Sequence, residues 1–160
     1  MSENSGSGGL AERELVLTRV FNAPPEKVYR AWTEPEWLVQ WFAPLPWTTP
    51  SAQLDVRVGG ANRIVMRSPE GEDFPNEGVY LEVVENERLV ITDAYRSGWE
   101  PSPEPFMTVV LTFEALGVQT LYNARVRHWT VADRQRHEQM GFYEGWGRCA
   151  DQLAELLKRM

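Results

Sequence analysis

The segment from Met140 to Met160 constrains the fold more than any other. Its apolar residues fall at Tyr143, Trp146, Ala150, Leu153, Leu157 and Met160, the alternating three-and-four spacing that lays a stripe along one face of an α-helix. Glu144, Arg148, Asp151, Gln152, Glu155 and Lys158 occupy the remaining surface, so the stripe has to be buried against another part of the chain. Gly141, Gly145 and Gly147 interrupt the first half, and each glycine costs a helix interior about 1 kcal/mol relative to alanine. Gly141 and Gly145 share a face, which predicts a notch beside Phe142 and Trp146. The notch either seats the helix close to a strand or leaves room for a ligand, while Leu153, Leu156 and Leu157 close the other end as core.

The partner surface reads as a sheet. From Ser51 the pattern turns to period two: Ala52, Leu54, Val56 and Val58 alternate with polar residues, Gly59-Gly60 predicts a hairpin turn, and Asn62, Ile64 and Met66 share a face beyond it. Val79, Leu81 and Val83 form the next inward set, and Leu89, Ile91, Asp93 and Tyr95 share a face after the turn that follows. Arg96 to Pro105 carries three prolines and reads as a flap over a pocket mouth. Met107, Val109, Leu111 and Phe113 then point inward, as do Thr120, Tyr122, Ala124, Val126 and His128 on the last strand.

Ahead of this meander, Glu14–Phe21 predicts a strand. Asn22-Ala-Pro-Pro-Glu26 leads into a short helix burying Val28, Ala31 and Trp32, because prolines fit the first helical turn. A second short helix starts at Pro35, places Trp37, Leu38, Trp41 and Phe42 at helical spacing, and stops at Pro44. Thr130 with Asp133 has capping-box spacing, so helix resumes there, in two pieces divided around Gly141. Every strand-to-strand link is short, which makes neighbours antiparallel. The class is therefore α+β: one strand, two small helices, a six-strand meander and one long helix, with helices on one face. As helix, Gly141–Lys158 would span about 27 Å against about 29 Å for six strands, enough to cross the whole sheet.

A chain of 160 residues suits one domain. Residues 1–12, opening with Ser, Gly and Asn, are expected to be a disordered leader, and residues 13–160 the folded domain. A formal charge of -7 and a pI near 4.9 argue against a nucleic-acid partner. The local run of Arg125, Arg127, Arg134 and Arg136, with His128 and His137 between, reads as a solvated face, with contact to an anionic ligand group as the alternative. A single cysteine, Cys149, excludes an internal disulfide and reads as a small core residue. No early apolar run resembles a signal peptide or spans a bilayer, so a cytoplasmic protein without membrane insertion is expected.

Catalytic equipment is sparse. The two histidines and one distant cysteine make no metal site, no nucleophile elbow is present, and Gly59-Gly60 lies between strands instead of opening a helix. Neither metal nor cofactor is expected, and binding is favoured over catalysis. Asp93, Tyr95, Tyr122 and His128 are predicted inward on separate strands, with Asn62 of matching parity; His128 and Asp93 are the candidate catalytic residues.

Several pieces of the chain fall in the order of a known family. They are Thr33-Glu-Pro-Glu36 followed by Trp41, Asp55-x-Arg57-x-Gly59-Gly60, Met66 with Pro69 and Gly71, Gly78-x-Tyr80-Leu-Glu82, Glu87-Arg-Leu89 and Gly145-Trp146. Across Glu14 to Leu157 the sequence resembles bacterial homologues of the activator of heat-shock-protein-90 ATPase, within the START-like (SRPBCC, polyketide cyclase/dehydrase and lipid transport) superfamily. The resemblance implies a helix-grip, Bet v-like fold, in which a curved antiparallel sheet of six to seven strands wraps a long carboxy-terminal helix.

It also implies a small hydrophobic or amphipathic molecule bound between sheet and helix. The expected walls are Trp32, Trp41, Ile64, Met66, Leu81 and Ile91, then Met107, Val109, Leu111 and Val126, and on the helix Phe142, Gly145 and Trp146. Asn62, Asp93, Tyr95, Tyr122 and His128 would supply polar contacts. The alternatives are a co-chaperone that stimulates a heat-shock ATPase in the stress response and a polyketide cyclase/dehydratase-like enzyme; a chaperone contact or a homodimer would be the corresponding partner.

Overall fold

A computed structural model describes residues 9–160. The disorder expected for residues 1–8 concerns positions outside this range. Leu10 to Glu12, grouped with the leader on sequence, form a single 3₁₀ turn with Arg13. Then follow β1 (Glu14–Phe21), α1 (Pro25–Thr33), α2 (Pro35–Leu38), β2 (Thr48–Leu54), β3 (Ala61–Arg67), β4 (Asp73–Val84) and β5 (Arg88–Thr92). The expected flap folds in part into a small hairpin, β6 (Tyr95–Arg96) with β7 (Glu100–Pro101). The chain ends with β8 (Met107–Leu116), β9 (Gln119–His128), α3 (Val131–Gln139) and α4 (Phe142–Leu157).

Seven strands form one antiparallel sheet in the order β1-β9-β8-β5-β4-β3-β2, so the first strand joins the last and the meander runs outward from there. Registers align the inward residues in rows across the strands. Leu15, Val126, Val109, Ile91 and Tyr80 make one row; Leu17, Ala124, Leu111, Leu89 and Val83 make the next. This is the α+β helix-grip arrangement that the period-two blocks and the terminal stripe predict.

Two strands depart from their expected patterns. In β4 the register slips between Tyr80 and Glu82, and the extra residue of this β-bulge reverses parity. Tyr80 turns inward and is fully buried, whereas Leu81, expected on the inner face, is exposed. β2 begins at Thr48 and ends at Leu54, leaving Val56 and Val58 in a six-residue loop, Asp55 to Gly60, in place of a two-residue hairpin. That loop returns against β4: the Gly59 N–H donates to the Tyr80 carbonyl at 2.8 Å, and the Tyr80 N–H donates to the Gly60 carbonyl at 3.1 Å. A side chain at Gly60 would run into the Asp55 carbonyl, so the pair of glycines serves a tight loop.

The terminal helix is also shorter and differently seated than expected. The Thr130 hydroxyl accepts the Asp133 N–H at 3.0 Å and starts α3, and Gly141, at φ 95, separates α3 from α4. Gly141 therefore stands outside α4, Phe142 faces the core, and Tyr143, placed in the stripe on sequence, is exposed. Among the strands, the α4 backbone comes closest to β1. A Cβ at Gly147 would stand 3.1 Å from the Arg19 guanidinium, whose Nη2 lies 3.9 Å from Asp151. On the other flank, the Gln152 amide donates to the carbonyls of Trp41 at 3.0 Å and Ala43 at 2.8 Å and accepts the Leu45 N–H at 2.9 Å. At Gly145 a Cβ would meet nothing within 4 Å.

α3 buries no residue; polar contacts hold it. Arg134 donates to the Glu12 carbonyl at 3.0 Å, and His137 Nδ1 lies 2.9 Å from His128 Nε2. His128 Nδ1 faces the Arg13 carbonyl at 2.8 Å, an acceptor only, so Nδ1 carries a proton. Burial disfavours a second proton on either ring, and in the neutral pair His128 Nε2 accepts from His137 Nδ1. Burial, then His128 and Arg136, lowers the His137 pKa to about 4; burial also lowers that of His128.

Two outcomes are expected. Gly145→Ala should raise stability by about 0.5–1 kcal/mol, since the helix gains propensity without a clash. Gly147→Ala should gain less because its methyl presses on Arg19, and urea midpoints of the two variants would compare them. For α3 the folded-state pKa of His137 lies below the unfolded value of about 6.5, so the contribution of the neutral pair is present above that value and lost as pH falls toward about 4. NMR titration of the His137 ring should show a midpoint near 4, with α3 amides exchanging faster below it; a midpoint near the unfolded value would contradict the buried pair.

Candidate functional site

The inner face of the sheet is closed at one end and open at the other. At the closed end, the Trp32 indole N–H donates to the Tyr122 hydroxyl at 3.2 Å, and that of Trp41 donates to the Ala31 carbonyl at 3.0 Å. The two indoles meet edge to face at 5.0 Å, and Tyr122 leans on Phe21 at 5.1 Å. Burial raises the Tyr122 pKa well above the usual phenol range. Asn62 donates to the Tyr80 hydroxyl at 3.2 Å, and burial pushes the Tyr80 pKa up to about 12. Trp32, Trp41, Asn62, Ile64, Val109, Leu111, Tyr122, Val126 and Phe142 are all buried. Their partners are one another, so this part of the expected wall is packed core, and a guest would reach it only if the core opened.

At the open end, residues of the same inward parity keep partial exposure: Met66 on β3, Ile91 on β5 and Met107 at the start of β8. Trp146 on α4 is likewise half-buried and stacks on Phe142 at 5.2 Å. Gly145 adds free space one residue away. The helix faces explain the difference: Gly147 and Asp151 look toward β1, whereas Gly145, Cys149 and Gln152 look the other way, toward the segment after α2. The Cys149 thiol donates to the Phe42 carbonyl at 3.0 Å, and burial pushes its pKa up to about 12, which leaves it a protonated thiol.

The polar residues do not gather into one catalytic group. Asp93 Oδ1 accepts the backbone N–H of Phe106 at 2.8 Å and of Met107 at 3.1 Å, closing the bend before β8. Burial raises the Asp93 pKa, opposed by those two N–H groups. Its second oxygen has no partner among the described residues. His128 is buried with both nitrogens occupied, so proton transfer there would require α3 to leave. Tyr95 is a correction: β5 ends at Thr92, and the tyrosine is exposed in β6, edge-on to Trp99 at 5.8 Å. Leu81, turned out by the bulge, is likewise absent from the inner face. Among the described residues, no three of His, Cys, Asp or Glu gather as metal ligands, and no helix is long and apolar enough to cross a membrane.

Two residues escaped the sequence reading. Phe106 lies 5.5 Å from the His128 ring and 5.0 Å from that of His137, with the Arg136 guanidinium 5.0 Å above it. Phe106 closes the proline-rich stretch, and a lone aromatic after Pro105 was the available signal. His137 appeared only as part of a basic run; its place on α3 beside the last residue of β9 follows from the Thr130 cap.

Comparison with known proteins places these features in a family. The family described as Activator of Hsp90 ATPase homolog 1-like protein matches residues 22–158. A comparison with curated proteins gave no match. Among solved structures, protein NE0264 from Nitrosomonas europaea is 42% identical, with a TM-score of 0.90 over 93% of this chain and 96% of that one. Protein CV1439 from Chromobacterium violaceum is 28% identical, with a TM-score of 0.74 over 89% and 96%. An AHSA1-like protein from Aeromonas hydrophila, at 18% identity and a TM-score of 0.65 over 91% and 93%, shares the fold. The match over most of the length, the close structural relative and the helix-grip architecture agree: the chain belongs to the Activator of Hsp90 ATPase homolog 1-like family, with a START-like fold.

Proposed function

We propose that the protein is a cytoplasmic binding protein for a small apolar or amphipathic molecule, held at the open end of the inner face beside the first half of α4. The observation that carries this is that three inward apolar side chains, Ile91, Met107 and Trp146, are left half-covered by the protein's own packing, with open space at Gly145, the residue before Trp146. Partly covered apolar surface is what an apolar guest can remove from water, at about 25 cal/mol per Å². The free oxygen of Asp93, next to Met107, offers a hydrogen-bond acceptor to a polar end of the guest. His128, both of whose nitrogens are engaged, and Tyr122, whose hydroxyl accepts from Trp32, serve the wall as positioned structure. A single cysteine, and so no internal disulfide, fits a reducing compartment.

Organic extraction of the purified protein followed by mass spectrometry is expected to release a compound of this class. Gly145→Phe fills the notch while leaving the closed half untouched, and should weaken uptake of a fluorescent naphthalene probe about tenfold or more, the equivalent of about 1.4 kcal/mol. Gly145→Ala serves as the control for helix propensity. Undiminished uptake in Gly145→Phe would remove the site from this end of the molecule.

A further inference from the structure

A second cleft lies away from α4. It has a volume of about 560 Å³ and opens between α1, the loop after β2 and the turn joining β4 to β5. Tyr29, Val56 and Val83 line its inner part, and the carboxylates of Glu26, Glu34 and Glu85 stand around them. Arg30, the one cationic side chain in the lining, is committed to Glu34 through contacts of 3.1 and 3.5 Å. Glu26 and Glu85 have no cationic partner among the described residues.

An acidic rim alone would be a solvated surface, and Glu26 also suits the first turn of α1, where the helix dipole favours a negative charge. Tyr29 separates this cleft from such a surface. Its side chain is packed edge-on against Phe113 at 5.9 Å and only 8% of the residue is exposed. Yet its hydroxyl makes no hydrogen bond among the described residues and is not sealed from solvent, and the residue lines the cleft. Elsewhere in the interior, buried tyrosine hydroxyls are engaged: Tyr80 with Asn62 and Tyr122 with Trp32. Burial, followed by the nearby Glu85, raises the Tyr29 pKa, so the group stays a neutral hydroxyl with a free acceptor oxygen.

A hydroxyl oxygen, two uncommitted carboxylates and a valine-lined wall fit one kind of guest, a positively charged nitrogen with N–H donors on an apolar stem. Anions are repelled by the rim. A divalent cation would need a denser cluster of oxygens than the described residues supply. We propose that this cleft is a binding site for an organic ammonium ion, its N–H groups donating to Tyr29, Glu26 and Glu85 and its carbon stem lying along Val56 and Val83. The site is independent of the one beside Gly145.

The test is an NMR titration of the ¹⁵N-labelled full chain with n-butylammonium chloride. Saturable shifts are expected at the amides of Tyr29, Val56, Val83 and Asn86, weakening with added salt because the rim carboxylates are exposed to solvent. Glu85→Gln should weaken binding about tenfold and Tyr29→Phe severalfold, as expected for removing hydrogen bonds to a charged group. Glu85→Gln lies on an exposed turn and Tyr29→Phe keeps the ring that packs on Phe113, and retained amide dispersion would confirm the fold. Sodium butyrate and butanol, matched in stem length, should produce no saturable shift. Nα-acetyl-lysine methylamide distinguishes the source: binding tighter than butylammonium identifies a protein lysine, and equal or weaker binding identifies a free amine. Butanol acting as well as butylammonium, no saturable shift at all, or both variants binding like the parent would each overturn the proposal.

Discussion

The structure depends on how α4 is seated against β1. Gly147 leaves the helix surface bare where the Arg19 guanidinium lies, and Asp151, one turn on, receives its charge. Gln152 fastens the opposite flank to three backbone groups after α2. With both flanks fixed at the level of residues 147–152, the later turns lie over the closed rows and bury Leu153, Leu156 and Leu157. The first turns project beyond that anchor, where Phe142 packs edge-on against His137 of α3 and stacks on Trp146. The ion pair contributes little by itself, since its Nη2–Oδ1 distance is 3.9 Å and Asp151 is largely solvated; a larger residue at 147 would displace the Arg19 guanidinium.

This seating separates the two roles that glycine was expected to share. On sequence, a single notch at residues 141 and 145 stood for either close approach or ligand space. In the structure, close approach belongs to Gly147, empty space to Gly145, and a left-handed break to Gly141. Gly145 and Gly147 carry a helix-interior propensity penalty, whereas Gly141, outside the helix at positive φ, carries none. Spacing on a helix identifies which residues share a face; it does not say what stands opposite, and that depends on the strand brought alongside by distant pairing.

The same distinction explains which parts were legible. β8 and β9 follow strict alternation, and the two strands pair in register over their whole length, so Val109, Leu111, Tyr122, Val126 and His128 could be placed inward from the pattern alone. The Thr130 cap and Pro25 at the first helical position likewise marked helix starts by local chemistry. β4 was misread because a bulge shifts parity without altering composition, which hid Tyr80 and promoted Leu81. The Asp55–Gly60 loop was misread because Gly-Gly between alternating segments has the form of a hairpin, while the actual constraint is contact with Tyr80 and with Trp99, whose ring would stand 3.0 Å from a Cβ at Gly59. The His128–His137 contact joins two elements whose relative placement no local pattern encodes.

Polar satisfaction in the interior bears on where recognition can occur. Trp32 with Tyr122, Trp41 with Ala31, Asn62 with Tyr80 and Thr120 with Ala23 are paired within the protein, and Thr49 Oγ1 is the one fully buried side-chain N or O atom without a partner among the described residues. A guest seeking hydrogen bonds in the closed half would have to break one of these pairs, leaving a buried group unsatisfied at about 1–3 kcal/mol. Uncommitted polar atoms instead lie at the margins, on Asp93 beside the open end and on Tyr29 in the acidic cleft. In this chain the aromatic interior sets shape, and the uncommitted polar atoms lie where the strands run out from under their helices.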